Sequence, residues 1–301
     1  MIVVGSANQD YVIACDGLPQ PGETRLARSL RRLPGGKGAN QAVAAARLGA
    51  PVSFVGAVGD DDDGALLIRE LRSEGVDASE IEITSTATGL AMVTVLPTGE
   101  NAITVVPGAN FTLSPDRAAR TVRRLVDQTS IMVVQAEIPT GTIAAVVHAA
   151  VEQGARPVIN LAPFVDLDPT VLAQADPLVV NEVEAASLTG YAVDSDKDAD
   201  RAVHELAERT ISCVITRGAA GACWAAGADS GTVAAPPVAE VVDSTGAGDA
   251  FVGGLVRQLS RSADLQAAVR VGVEVGTIAV TRLGAQASYP YASDIRQLAG
   301  R

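Results

Sequence analysis

Asp249 stands in the stretch DSTGAGDAF (Asp243–Phe251), directly after two glycines that flank an alanine and just before the apolar run VGGLV. A tight turn opening a helix accounts for the glycines. In such a turn Gly246, Ala247 and Gly248 can aim successive backbone N–H groups into one hollow, which suits an anion. The small side chains let a phosphoryl group come close to the backbone. A carboxylate in that hollow is a poor phosphate ligand but a good acceptor for an alcohol proton. Phosphoryl transfer through a loose transition state builds little charge on the attacking oxygen, so a modest base suffices. The residues alone leave a second reading open, a helix start whose first-turn acid merely faces the positive end of the macrodipole.

A second glycine-rich stretch, LPGGKGANQAVAAARLGA (Leu33–Ala50), shifts the balance toward chemistry. Gly35, Gly36 and Gly38 predict a tight loop, after which Asn40 enters an alanine-rich helix ended by Gly49. Lys37 and Asn40 lie beside that loop and suit a hydroxylated ligand. Ala42, Ala44, Ala45 and Ala46 allow close packing of the helix on a sheet. The common nucleotide motifs fail. A Walker loop would need glycine at Arg31 and Ser or Thr at Gly38, and a dinucleotide fingerprint would need glycine at Phe251. P-loop NTPases and nicotinamide oxidoreductases are therefore disfavoured.

These residues need a scaffold. The runs MIVVGSAN, PVSFVGAVGD, IMVVQAEIP, RPVINLAP, PLVVNEVEA and ISCVITRGAAG read as buried strands. Between them ANQAVAAARLGA, GALLIRELRSEG, SPDRAARTVRRLVD and DADRAVHELAER carry helical spacing. The alternation predicts an α/β three-layer sandwich with a mostly parallel central sheet. Two portions break it. Residues 10–33 and 84–106, the latter two alternating runs joined by PTGEN, read as half-exposed antiparallel hairpins that could pair into a small sheet over one edge. Residues 1–9, 34–83 and 107–301 then make the main domain. Asn8, Asp10, Asp60, Glu137, Asn181 and Gly218 all fall at or just past the carboxyl end of a strand, the edge where open α/β sheets bind ligands.

Composition narrows the classes further. The chain has 301 residues, 48% of them hydrophobic, and a net charge of −12. Such a surface repels a phosphate backbone and argues against a nucleic-acid partner. Cys15, Cys213 and Cys223 are scattered, with no pattern for a disulfide framework or a zinc site. No uninterrupted apolar run reaches about 18 residues and no basic leader opens the chain, so a cytoplasmic protein with no membrane partner is expected. The two histidines, His148 and His204, sit in helical patterns and read as structural. Cys15 and Trp224 read the same way. Asp60 to Asp63 read as a solvated acidic helix entrance rather than a metal cluster.

Taken in order, GSANQD, GGKGANQAVAAARLG, QAE, NEVE, DSTGAGDAF and VTRLGAQAS resemble the ribokinase-like (PfkB) carbohydrate kinase family over nearly the whole chain. The resemblance implies ATP-dependent phosphorylation of a sugar, D-ribose at its 5-hydroxyl. Asp249 would be the base, with the backbone of Gly246, Ala247 and Gly248 as the anion hole. Asn8, Asp10, Gly36, Lys37, Gly38, Ala39, Asn40 and Glu137 would hold the sugar. Asn181 would contact ATP, Glu184 would serve Mg²⁺ and phosphate, and Thr216, Arg217, Gly218, Ala219, Ala220 and Gly221 would form the nucleotide loop. Asp243, Thr245, Ala279, Arg282, Gly284 and Ser288 match positions for an activating K⁺. The hairpins would form a lid and a homodimer contact.

Alternatives stand beside this. NEVE also reads as an ordinary helix start, and Lys37 as a shield for phosphate charge. The chain departs from many ribose-specific members at Gly246 and Ala250, and modestly in the strand INLAPF, which bears on the sugar rather than the chemistry. Fructose, ketodeoxygluconate and nucleoside kinases use the same base and hole; a nucleoside would want aromatic cover, for which Tyr11, Phe111 and Phe164 are the candidates. A non-catalytic sugar binder would need neither Asp249 nor GAG.

Overall fold

The computed structural model describes residues 1–97 and 101–295. In chain order the elements are β1 (Ile2–Val4), β2 (Asn8–Ala14), β3 (Ser29–Gly35), α1 (Lys37–Arg47), β4 (Ser53–Gly59), α2 (Asp62–Ser73) and β5 (Asp77–Thr84). Then come β6 (Gly89–Val95), β7 (Asn101–Val106), α3 (Pro115–Leu125), β8 (Ile131–Gln135), α4 (Thr140–Glu152) and β9 (Arg156–Asn160). The remainder is α5 (Pro169–Leu172), β10 (Leu178–Asn181), α6 (Glu182–Thr189), α7 (Asp196–Glu208), β11 (Cys213–Thr216), β12 (Ala222–Ala226), β13 (Asp229–Val233), α8 (Ala247–Leu259) and α9 (Leu265–Ala279).

The central sheet has nine strands in the order β13-β12-β11-β10-β9-β8-β1-β4-β5. It is parallel from β5 through β11 and antiparallel only at β12 and β13. Apolar residues run without a polar break along the inner strands because both faces are covered. Alternate residues feed two cores: Val3, Phe54, Val133, Val179 and Val214 pack with α1, α2, α8 and α9, whereas Ile2, Val4, Val134, Val180 and Ile215 pack with α3, α4, α6 and α7. That is the expected three-layer sandwich. From β1 the chain winds outward through β4 to β5 and later restarts on the other side at β8. The gap between β1 and β8 is thus the switch point of the sheet, where strand order reverses and ligands bind at the carboxyl ends.

The two irregular portions supply β2, β3, β6 and β7, which form a separate four-stranded sheet in the order β3-β2-β6-β7. Each hairpin is antiparallel, and a parallel β2–β6 pairing joins them. The turn expected in PTGEN falls at residues 98–100, outside the described residues. Register and alternation place Asp10, Val12, Leu33, Val93 and Val105 on one face. Asp61 pins this sheet to the main one: its carboxylate caps α2 at Gly64 N (2.8 Å) and accepts from the Thr88 amide (2.8 Å) and hydroxyl (2.6 Å). The acidic run is thus a helix entrance.

Strand β5 and the β12–β13 hairpin carried no clear signal. DASEIEIT is an edge strand whose Glu80 and Glu82 are half-buried against Arg124 and Arg117, and ACWAA with DSGTV is too short and small-residue-rich to stand out. Among the described residues no helix is long and apolar enough to cross a membrane.

Candidate active site

The switch point is filled by the start of α1. Gly36 caps that helix with φ +87°, a left-handed conformation that favours glycine, and a Cβ there would lie 2.8 Å from Asn8 N. A Cβ on Gly38 would lie 2.6 Å from Ser6 N. Glycine at both places lets the helix N-terminus sit directly on the β1–β2 junction. The Ala39 amide donates to Ser6 O (2.9 Å), and the Lys37 amide donates to Glu137 Oε2 (3.0 Å). Ser6 Oγ donates to the same Glu137 oxygen (2.5 Å) and accepts from Gly38 N (3.3 Å). A carboxylate at a helix N-terminus complements the macrodipole. Glu137 is therefore held from two sides, and Ser6 is a residue that sequence reasoning missed.

Asn8 is buried, and its Oδ1 accepts from Asn110 Nδ2 (2.7 Å); Asn110 also accepts from Ala7 N (2.9 Å). The unforeseen Asn110, in the turn after β7, thus sets the orientation of Asn8. Two residues on, the Asp10 carboxylate occupies the space left by the missing side chain of Gly35. Burial, then the charges of Glu137 and Asp249, push the Asp10 carboxyl up to about 7.

Asp249 lies in the first turn of α8, 7% exposed, after Gly246 in a left-handed N-cap at φ +76°. Its Oδ2 accepts from Asn40 Nδ2 (3.0 Å) and its Oδ1 from Gln41 Nε2 (2.9 Å). Behind the turn, the hydroxyl of fully buried Tyr289 lies 2.6 Å from where a Gly246 Cβ would be, so glycine there is also a packing requirement. Burial, then Asp249, drive the Tyr289 phenol well above its ordinary range. Gly248 faces open space: a Cβ on it would meet nothing within 4 Å. The Ala247 amide donates to Ser244 O (3.2 Å), so of the expected donors it is already engaged.

Lys37 completes the centre. Asp249 above all, with Glu137 and Glu184 adding, holds its ammonium above the ordinary lysine range despite burial. One lysine thus sits in the field of three acids that the chain supplies from β8, α6 and α8. Sequence positions 10, 37, 137 and 249 converge on a single site.

On the far side of Lys37, a cavity of about 260 Å³ is lined by Lys37, Asn160, Asn181, Glu184, Thr216, Ser244, Gly246, Gly248 and Asp249. Asn181 and Glu184 form a reciprocal capping box at α6: Glu184 N donates to Asn181 Oδ1 (2.8 Å) and Asn181 N donates to Glu184 Oε2 (2.8 Å). NEVE is thus a capped helix start, as its alternative reading has it, and both capping residues also line this cavity. Burial raises the Glu184 carboxyl. Gly218, Ala219 and Ala220 make an exposed 3₁₀ turn, closed by Arg217 N donating to Gly221 O (2.7 Å). The Arg217 guanidinium turns away to Asp196 (2.6 Å) and Glu182 (3.5 Å), leaving only its backbone to the turn. Gly221 packs against Val233 and Ala235, and beyond them lies a larger groove of about 720 Å³ lined by Val233, Ala234, Pro236, Pro237, Val273, Thr277 and Ile278, among others. The sequence reading missed this groove because no motif marks it. Tyr11, Phe111 and Phe164 line neither cavity.

Asp243 joins the two segments expected to hold a monovalent cation. Its Oδ1 accepts from Thr245 N (2.9 Å) and its Oδ2 from Gly284 N (2.9 Å). Burial opposes, but these amides hold its carboxyl below the usual carboxylate range. Ala279 and Ser288 are buried close by in sequence to Gly284, Ser288 Oγ donating to Ala285 O (2.7 Å), and the Arg282 side chain pairs with Asp294 (3.3 Å). Among the described residues no group of three or more His, Cys, Asp and Glu could hold a metal ion. Both histidines are exposed on helices, and all three cysteines are free and buried.

Comparison with known proteins agrees with this arrangement. The family model described as pfkB family carbohydrate kinase matches residues 1–292. The ribokinase of Haemophilus influenzae is 35% identical over 292 residues, covering 96% of this chain and 95% of that protein. A deoxyribokinase of Salmonella typhi is 34% identical, covering 96% of this chain and 94% of its own. Among solved structures, Arabidopsis thaliana ribokinase complexed with ribose and ATP superposes with a TM-score of 0.90 at 29% identity, over 100% of this chain and 98% of that one. With Asp249, the glycine turn, Asp10 and Glu137 brought to one place and the family model matching nearly the whole chain, the chain belongs to the pfkB family of carbohydrate kinases.

Proposed function

We propose that the protein is an ATP-dependent ribokinase that phosphorylates D-ribose at its 5-hydroxyl. The observation that carries this is the convergence of Asp10, Glu137 and Asp249, from three distant parts of the chain, around Lys37. Sugar hydroxyls donate to Asp10 and Glu137 and meet the amides of Asn8 and Asn40, with the Gly36–Ala39 backbone as the floor. The 5-hydroxyl faces Asp249. As its oxygen forms the bond to the γ-phosphorus, the bond from that phosphorus to the bridging oxygen breaks, ADP leaves with the electron pair, and the hydroxyl proton passes to Asp249. The amides around Gly248 and the Lys37 ammonium stabilise charge on the transferring phosphoryl oxygens.

The 260 Å³ cavity beside Asn181 and Glu184 takes the phosphates, and the groove beyond Gly221 takes the base, since its valines, prolines and Ile278 offer apolar walls. Mg²⁺ is a hard cation satisfied by phosphates, water and one carboxylate; of the two carboxylates lining the cavity Asp249 serves the sugar hydroxyl, and Glu184 would hold the ion. When bound, it neutralises phosphate charge. Asp243, which ties Thr245 to Gly284, and the backbone oxygens around Ala279, Arg282, Gly284 and Ser288 would hold K⁺, with Thr245 beside them. The four-stranded sheet acts as a lid, since Asp10 sits at its root. Closing it excludes water from the phosphoryl group. Its exposed Ile103 and Val105 favour burial against a second copy of the chain. Free thiols and an ATP substrate suit the cytoplasm.

A coupled ADP-release assay tests the proposal across ribose, 2-deoxyribose, fructose, ketodeoxygluconate and nucleosides, with and without potassium. Ribose is expected to give the highest kcat/KM. No sugar-dependent ADP release with any of them would sink it, and a preference for deoxyribose would move the assignment toward the deoxyribokinase relative. Sedimentation should find a dimer; a monomer at working concentration would remove the lid contact.

A further inference from the structure

The Asp249 carboxylate is fixed by side-chain amides whose orientation is determined link by link. Gln135 Nε2 donates to Gln41 Oε1 (2.6 Å), which turns the Gln41 NH₂ group toward Asp249 Oδ1 (2.9 Å). The same Gln41 nitrogen donates to Asn160 Oδ1 (2.8 Å), and the Asn160 NH₂ is taken by Val179 O (3.0 Å). Rotating any of these amides would set oxygen against oxygen and leave a buried donor unpaired. Gln41 is 0% exposed and Gln135 1%, and Asn160 stands at the carboxyl end of β9. Gly5 lacks a side chain where the Gln135 amide lies, so the backbone makes room for this chain of donors. Nothing about closing the core asks for glutamine here: the residues that follow Gln41 in α1 as far as Ala46 are alanines and one valine, and β8 is apolar from Ile131 to Val134, as is β9 from Pro157 to Ile159.

We infer that Gln41, oriented by Gln135 and Asn160, is a positioning residue of the phosphoryl transfer. It holds the Asp249 carboxylate turned toward the sugar hydroxyl without touching either substrate. The inference rests on the reading of Asp249 as the base. Asn40 grips the other oxygen, with its own carbonyl oriented by Gln286 Nε2 (3.0 Å), but it also borders the sugar; Gln41 and Gln135 act through the carboxylate alone. Removing the Gln41 donor leaves one carboxylate oxygen without its partner and free to turn from the hydroxyl. The other groups whose charge reaches Asp249 are Lys37 on α1, Glu184 on α6, Asp10 on β2 and Tyr289. All of them stay in place in the variants below, so a difference reports on the amide.

The test is Gln41→Met, which keeps length and loses the donor, with kcat and the ribose KM both measured at saturating ATP. The expected result is a fall in kcat of about 10-fold with a ribose KM within about 2-fold of the parent, a split that a merely structural role would not produce. Gln135→Met should do the same more weakly, and it keeps the test alive if Gln41→Met fails to fold by circular dichroism. A folded Gln41→Met enzyme with kcat unchanged overturns the inference, as does a raised ribose KM alone, which would make Gln41 a ligand. Asp249→Asn is measured alongside. If it turns over normally, the base reading fails; if it is inactive while Gln41→Met is unaltered, only the inference fails.

Discussion

Replacing Asp10 by asparagine should make the sugar-free protein more stable and the enzyme worse, and the size of both effects follows from where the carboxylate sits. Burial and the neighbouring charges of Glu137 and Asp249 raise it from 3.8 to about 7. A carboxylate raised on folding contributes stability that is fully present below its ordinary value and is lost as pH climbs through the folded value. Between pH 4 and pH 7 the parent therefore loses stability that Asp10→Asn keeps. At about 1.4 kcal/mol per pH unit the full difference approaches about 4 kcal/mol above pH 7; discounted for the part of the group that solvent reaches, about 2–4 kcal/mol is expected. For a chain of this size that is a rise in Tm of about 3–6 °C at pH 8, shrinking toward zero at pH 4. Ribose affinity should meanwhile fall about 10–100-fold, because hydroxyl groups lose a charged acceptor. Differential scanning fluorimetry from pH 4 to 8 and calorimetric titration with ribose read the two effects. A Tm gap between parent and variant that does not change with pH would refute the electrostatic reasoning. Ribose affinity that survives the substitution would refute the placement of Asp10 in the sugar site.

Further outcomes are expected from the same geometry. Asp249→Asn should lower kcat by roughly 10²–10⁴ while ribose binding, measured by calorimetry, is largely kept. Gly246→Ala meets both the left-handed backbone and the Tyr289 hydroxyl, so it should cost about 2–4 kcal/mol in urea unfolding and depress kcat. Asn181→Ala removes one half of the capping box at α6, which should cost about 1 kcal/mol of stability and raise the KM for ATP with little change in that for ribose.

Much of the architecture was legible because it rests on local rules. Buried parallel strands read as short unbroken apolar runs, and amphipathic helices read by their period, so six of the inner-sheet segments and the two hairpins stood out. Strands β5, β12 and β13 did not, since an edge strand bearing glutamates and a hairpin of small residues draw their stability from neighbours rather than from their own pattern. Within the site the glycine turns and the acids were visible as motifs. Ser6, Asn110, Gln41, Gln135, Asn160 and Tyr289 were not. Three of these, Gln135, Asn160 and Ser6, lie at or just past the ends of parallel strands, and that position was an available signal for polar residues that are not acidic.

The sequence by itself determined the layered α/β frame, the two glycine turns and the presence of Asp10, Lys37, Glu137 and Asp249, because backbone conformation and hydrophobic period are properties of neighbouring residues. Only the tertiary structure decided that these groups share one electrostatic neighbourhood, which amides orient the base, and which of the expected backbone donors is already engaged. Those are matters of distance between residues more than two hundred positions apart, such as Gln41 and Asp249, whose separation in the chain is 208, and they are set by how the sheet reverses between β1 and β8 rather than by any local stretch of the chain.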